Sequence, residues 1–437
     1  MTRRRQRLEA RWEYLLGAMW VLPLAAMGLA IALGAGLAEV KVAESSSYHW
    51  LVFQGTADDA RSLLIGIAAT TITVIALMLG LTVVALQLSS TQYSPRIVRN
   101  FLRDRPNQIV LSVFVATFAY SAAGLYTVGV SAGDRSASFP RAAVSGAIAL
   151  LFLSLGALIY EVHHISHSMQ IDQIMRRIGR NTTAMINSRL ADGNDDSEVT
   201  GPVPAGAVAV AAPDSGYVQT VRPEAAIDFA VGHSVHIRYA VPVGAHIVRG
   251  SPLAWVWSDI GEDVDRDQSA EAVVECVRVG FERTLEQDVS FGIRQLVDIA
   301  AKALSPAVND PYTGVQAVDQ LATILAILAT RRLGPTVYRP TSTASVTTPA
   351  SDFEGYLDLA CGQIRRYGAT EPAIALALIE MLTSVASCLG PESEGRRTAV
   401  AMQLDLILDD AHRSIAQPAD LEPVLRDAGK LSELLGR

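Results

Sequence analysis

His163, His164 and His167, with Glu161 and Asp172 close by, place two imidazoles one helical turn apart. His163 and His167 at i and i+4 have the spacing with which a metal site or a proton sensor can begin. Two ligands do not complete a four-coordinate site, and no His-Glu-x-x-His arrangement accompanies them. Hydrogen bonding to head groups or to neighbouring helices is the simpler expectation. A second polar concentration comprises Asp288, Arg294, Asp298, Asn309 and Asp310. Paired carboxylates can act as general acid and base. The same residues also suit helix surfaces and helix starts: Arg294, Asp298 and Lys302 form an i, i+4 charge ladder, and Asp310 before Pro311 reads as an N-cap followed by the first helical residue. Salt bridges and caps explain this group with fewer assumptions. His233, His236 and His246 lie in Val-rich runs and are expected to be structural. The chain has no Gly-rich phosphate loop, nucleophile elbow or metalloprotease signature, so neither an enzyme, a cofactor nor a bound metal is expected.

A third set of residues lies in an uncharged run. From Thr70, steps of three and four give Thr70, Thr73, Leu77, Gly80, Val84, Gln87 and Thr91, a helix stripe of small or polar residues interrupted by two apolar ones. Such residues turn toward partner helices or a water-filled path when their helix lies in lipid. Packing through Gly and Thr is one reading. The other is a pore lining in which rings of Leu77 or Val84 form a dewetting constriction.

The elements that position these residues follow from charge and hydropathy. Half of the 437 residues are hydrophobic, and the excess sits at the front. Four runs, 15–37, 62–91, 108–133 and 142–160, lack charge and are long enough to cross a hydrocarbon core about 30 Å thick. The first exceeds a signal-peptide core and lacks a small-residue cleavage site, so it is read as a retained span. Arginines cluster before span one, between spans two and three (Arg96, Arg99, Arg103 and Arg105) and after span four. By the positive-inside rule both termini are expected in the cytoplasm. The Arg96 to Arg105 group could also bind anionic lipid or form a cytoplasmic entrance.

Beyond 170 the composition becomes that of a soluble protein. The expected organisation is a four-span membrane domain over 1–170, then a cytoplasmic helix and linker over 171–204. A small β module follows over 205–262, a helical module over 263–334, a connection or hairpin over 335–352, and a C-terminal helical module over 353–437. Strand-like runs near Gly216, His233 and Val243 resemble barrel-sandwich modules of the biotinyl/lipoyl type, but no lysine occurs between Ala205 and Trp257 for covalent attachment. The fold class is therefore an α-helical membrane domain followed by an α+β region with a small β-barrel and helical bundles. Helices are read over 270–288 and 290–304. Cys276, Cys361 and Cys388 form neither a disulfide framework nor a zinc ribbon and are expected to be buried thiols. The net charge of −8 argues against nucleic acid as a partner.

Two long segments, Val84 to Phe101 (VALQLSSTQYSPRIVRNF) and Ser290 to Thr313 (SFGIRQLVDIAAKALSPAVNDPYT), carry a family resemblance, as do Gly362 to Ala369 and the His163-His164 pair. Through them the chain resembles the bacterial predicted membrane proteins catalogued as domain of unknown function 2254. The resemblance implies a multi-pass protein of the inner membrane and brings no catalytic residue. The leading expectation is a homo-oligomer whose second span lines a path for ions or small solutes above a cytoplasmic vestibule. The alternative is a membrane-anchored scaffold or sensor whose cytoplasmic modules bind a protein or small ligand.

Overall fold

The computed structural model describes residues 20–39, 52–92, 105–129, 140–168, 170–193, 201–260, 264–390 and 392–437. The chain divides into two compact units, Met1–Gln170 and Ile171–Arg437.

The first unit contains helices α1 (Val21–Glu39), α2 (Ala57–Gln92), α3 (Arg105–Gly129) and α4 (Arg141–Ser168), each long and apolar enough to cross a membrane. Thr56 and Asp59 set the start of α2 as a capping box: the Thr56 amide donates to Asp59 Oδ2 at 2.9 Å, and the Asp59 amide donates to Thr56 Oγ1 at 3.2 Å. α3 is central and packs on the other three helices. Close approach relies on small and polar residues, as expected where lipid removes the hydrophobic drive between helices. Thr117 of α3 and Ser154 of α4 share a hydrogen bond at 2.7 Å, and the Tyr120 hydroxyl donates to the Ala143 carbonyl at 2.9 Å. Gly146 makes room for the Tyr120 ring. α4 runs eight residues past the expected end of its span at 160, and this extension carries His163 and His164.

The second unit begins with α5 (Ile171–Arg189), whose buried residues Met175, Ile178, Thr182, Met185 and Ile186 recur at helical spacing. The mixed region then runs β1 (Val208–Ala211), β2 (Gly216–Val221), α6 (Pro223–His233), β3 (His236–Tyr239), β4 (His246–Ile247), β5 (Pro252–Trp257), α7 (Arg266–Glu275) and β6 (Val277–Gly280). Next come α8 (Val289–Ala303), α9 (Pro311–Leu328), the hairpin β7 (Thr336–Thr341) and β8 (Ala344–Thr348), and finally α10 (Phe353–Tyr367), α11 (Pro372–Ser387), α12 (Glu394–Ser414) and α13 (Pro418–Leu435).

These strands do not close into the expected barrel. They form two open sheets, one five-stranded in the order β1-β5-β3-β8-β7 and one three-stranded in the order β4-β2-β6. α6 interrupts the strand succession after β2, and β8 enters the larger sheet parallel to β3 from a distant part of the chain. The segment read as one helix over 270–288 is instead α7 followed by strand β6, because Val277 to Gly280 pairs with β2. The hairpin at 336–348 follows the sequence reading.

α8 and α9 form the heart of the helical region. Ile293, Leu296, Val297, Leu321, Ile324 and Leu325 are fully buried, each burial contributing about 2 kcal/mol. Arg396 of α12 is 2% exposed and donates through Nη1 to the Ala329 carbonyl and through Nη2 to the Arg331 carbonyl, both at 2.8 Å. It thereby serves the carbonyl end of α9, and its guanidinium lies 5.3 Å from the Phe353 ring centroid. Cys276 and Cys361 are buried as expected, but Cys388 at the C-cap of α11 is exposed.

Two predictions follow from this packing. Gly292 of α8 abuts Thr182 of α5, and an added Cβ would meet that β-branched, fully buried side chain. Gly292→Ala should lower stability by about 1–3 kcal/mol despite alanine's better helix propensity, with part of the loss restored by Thr182→Ala; thermal unfolding of single and double variants measures both. Burial pushes the Cys361 thiol up to about 12, so it stays protonated while the unfolded thiol ionises near its ordinary value of 9.0. That group's stabilisation is complete below the unfolded value and falls as pH rises above it. Maleimide at neutral pH should label Cys388 in the native protein and reach Cys361 only on unfolding.

Candidate functional site

The stripe on α2 turns away from its own bundle. Ala60, Leu64, Ile67, Thr71 and Met78 form the packed face, between 0% and 7% exposed. At about 100° per residue the stripe falls on the far side, and Thr70, Thr73, Leu77, Gly80, Val84 and Gln87 are all exposed there. Leu77 is 63% and Val84 50% exposed. The hydroxyls of Thr70 and Thr73 donate to the carbonyls of Gly66 and Ala69 at 2.7 and 2.9 Å. This back-bonding lets a hydroxyl sit in an apolar medium without water. Gly66 and Gly80 meet no neighbouring atom, which leaves two close-approach points open on the outer surface. The side chain of Thr91 and residues Arg96, Arg99 and Arg103 lie outside the described residues, while Arg105 is exposed at the first position of α3.

The polar group of the second unit separates into local devices. Asp288 is the N-cap of α8, accepting from the Phe291 amide at 3.0 Å, and it receives both prongs of the Arg283 guanidinium at 2.8 Å. Its side chain is 2% exposed. Gly244, with φ at +90°, lies against this pair where any side chain would collide with the carboxylate. Arg294 and Asp298 pair at 2.9 Å one turn along α8. Asp310 caps α9 as its sequence suggested, accepting from the Thr313 amide at 3.1 Å, with Pro311 in the first turn. Asn309 adopts a positive φ of 52° in the turn between the helices. Asp310 donates its amide to Ala303 at the far end of α8, so the length of that 15-residue helix, about 22 Å, separates it from Asp288. The two carboxylates cannot work as one acid/base pair.

Asp288 nevertheless borders a cleft of about 540 Å³ within the second unit. Arg189, Arg222, Glu224, Tyr338 and Tyr356 also line it. Gln287 anchors one wall by bonding both polar atoms of the Val221 backbone, at 2.9 and 3.2 Å. Burial raises the Tyr356 hydroxyl well above its ordinary value; the Asp288 charge adds to this and a hydrogen bond with Ser290 opposes it. Burial likewise raises Tyr338, with Glu224 reinforcing and Arg189 opposing. Both phenols therefore remain neutral hydrogen-bonding groups. Sequence patterning did not point to Arg189, Arg222 or the two tyrosines. One signal was present: Arg222-Pro-Glu224 is a helix start among strand-like runs.

The histidines are dispersed. His164 stacks on Tyr160 with centroids 5.8 Å apart, and the His167 side chain lies outside the described residues. His233 bonds the Phe229 carbonyl at 3.0 Å and His246 packs edge-on to Tyr217. Among the described residues no group of three or more His, Cys, Asp or Glu side chains is placed to hold a metal.

The family described as predicted membrane protein (DUF2254) matches residues 17–384. Uncharacterized protein MT1328 of Mycobacterium tuberculosis and uncharacterized protein Mb1321c of Mycobacterium bovis are each 41% identical over 439 residues, covering 99% of this chain and 83% of their own length. No solved structure matches the chain.

Asp288→Ala removes a cap and strands a half-buried guanidinium, and should cost about 2–3 kcal/mol. Arg294→Ala breaks only an i, i+4 pair and should cost about 0.5 kcal/mol or less. Thermal melts of the two variants followed by circular dichroism compare them directly.

Proposed function

The chain belongs to the DUF2254 family of predicted membrane proteins, and on that premise we propose that it forms a homo-oligomer of the bacterial inner membrane. In this reading α2 lines a central path for ions or small solutes and the second unit supplies a cytoplasmic vestibule. The observation that carries it is the stripe Thr70, Thr73, Leu77, Gly80, Val84 and Gln87, which faces away from the helices of its own chain. Small residues at Gly66 and Gly80 suit close contact with copies of the same helix, and closed rings are the usual way for subunits with few helices to enclose a path. Leu77 and Val84 would then form the apolar constrictions. The arginines from Arg96 to Arg105 would lie at the cytoplasmic entrance beside anionic lipid, both termini would be cytoplasmic, and the protein would not be an enzyme.

The cleft beside Arg189, Arg222 and Tyr338 supports a second reading. The four helices would anchor a cytoplasmic scaffold or sensor whose ligand or protein partner enters that cleft.

The discriminating experiment combines the oligomeric state of the detergent-purified chain with ion flux into liposomes. The conducting reading expects an oligomer whose flux changes about tenfold or more when Leu77→Asp wets the constriction. A monomer, or an assembled oligomer whose flux is indifferent to Leu77→Asp, would remove conduction and leave the anchored module.

A further inference from the structure

In the second unit α5 and α9 run side by side in the same direction. Gly179 of α5 abuts Gln320 of α9, and further along both helices Asn187 Oδ1 accepts from Arg331 Nη2 at 2.7 Å. Counting back from the first of these contacts by the same number of residues reaches Ile171 on one helix and Tyr312 on the other, so both stand at one end of the unit. α8 runs the opposite way, with Gly292 near its start against Thr182 of α5, which brings its last turn and the connection 304–310 to that same end. Tyr367 joins them, because Gly314 of α9 and Gly368, the residue after Tyr367, both abut Ile374 at the start of α11. This end shows large apolar side chains to the outside: Tyr312 is 73%, Tyr367 51% and Val308 45% exposed. None of the three is needed to fill the core, and water is a poor solvent for them.

Chain connectivity says what covers them. α4, long and apolar enough to cross a membrane, ends at Ser168, and α5 begins at Ile171. Three residues of chain reach at most about 11 Å, so the start of α5 is tied to the membrane surface whatever angle the second unit adopts. The surfaces that this tether can bring to lipid differ in chemistry. The exposed residues of α5 next to the tether, Gln173, Arg176 and Arg177, are polar. The end of the unit at Tyr312 is apolar and aromatic. A tyrosine has an apolar ring and a polar tip, the combination that settles where acyl chains meet head groups.

We propose that this end of the second unit is a membrane-docking surface, with Tyr312, Tyr367 and Val308 entering the head-group layer of the bilayer that holds α4. Docking in this way turns the cleft at Asp288, which lies at the other end of α8, toward water. The surface serves a conducting assembly and an anchored module equally, so its test is independent of which of those readings holds. The full chain is reconstituted into lipid nanodiscs with Cys388→Ser removing the exposed thiol; Cys276 and Cys361 are buried. Single thiols are then introduced by Tyr312→Cys, by Tyr367→Cys and, as the control at the opposite end of α8, by Phe281→Cys, where the native side chain is 95% exposed. All three positions are exposed, so unchanged melting curves are expected. Each thiol carries a fluorophore that is quenched on contact with lipid spin-labelled at the head group. The expected result is quenching at 312 and 367 about twofold or more above that at 281, with aqueous iodide giving the reverse order. Adding Tyr367→Asp to the labelled Tyr312→Cys chain should lower the lipid quenching at 312, since a charge weakens entry into the interface. If position 312 or position 367 is quenched by lipid no more than position 281, the proposal fails. Protection of both positions from iodide without lipid quenching also overturns it, and assigns the surface to a second copy of the chain.

Discussion

The second unit depends on the pairing of β8 with β3. These strands meet in parallel, with His236, Ile237 and Arg238 opposite Ser345, Val346 and Thr347. The partners are far apart in sequence, so their union carries a loop-closure cost that local contacts do not repay. Burial supplies the return: Ile237, Val346 and Val256 are fully inaccessible on the core side. The same three-strand contact also floors a pocket of about 420 Å³ on the sheet's other face, lined by His236, Arg238, Trp257, Ser345 and Thr347. A one-residue slip of β8 would send Ser345 and Thr347 into the core and Val346 outward, so core and pocket share one register and neither can be altered alone.

In the first unit the governing constraint is the demand of every polar group for a partner inside hydrocarbon. The helices satisfy their own backbones, and several of the described hydroxyls follow the same logic. Thr70, Thr71, Thr73 and Thr82 bond to carbonyls one turn back. Thr117 does so as well, and in addition reaches Ser154 on the neighbouring helix. Polarity on α2 therefore has two physical meanings. On the packed face Thr71 is buried, and where Thr70 and Thr73 face outward they present small, self-satisfied surfaces that a second helix can approach.

How much of this was legible in the sequence depended on range. The spans were readable because length and absence of charge suffice, and the start of α9 was readable because Asp310 and Pro311 act on adjacent backbone atoms. The hairpin at 336–348 was likewise local. Sheet membership was not. Periodicity identified strand-like runs but could not show that β2 joins β6 while β3 joins β8, so a succession of short strands suggested a barrel that does not form. The same limit applied to sites. Asp288 and Asp310 were near in sequence yet sit at opposite ends of α8, whereas His236 and Ser345, 109 residues apart, share a hydrogen bond.

The matched family segment ends at residue 384, inside α11. The cation that completes the carbonyl end of α9 comes from Arg396, beyond that limit. A chain cut at residue 384 would leave the Ala329 and Arg331 carbonyls without these donors and Phe353 without its covering guanidinium. The limit of the family match is thus not a border of the fold: α12, beyond it, belongs to the interior of the helical region and supplies the donors that complete the end of α9.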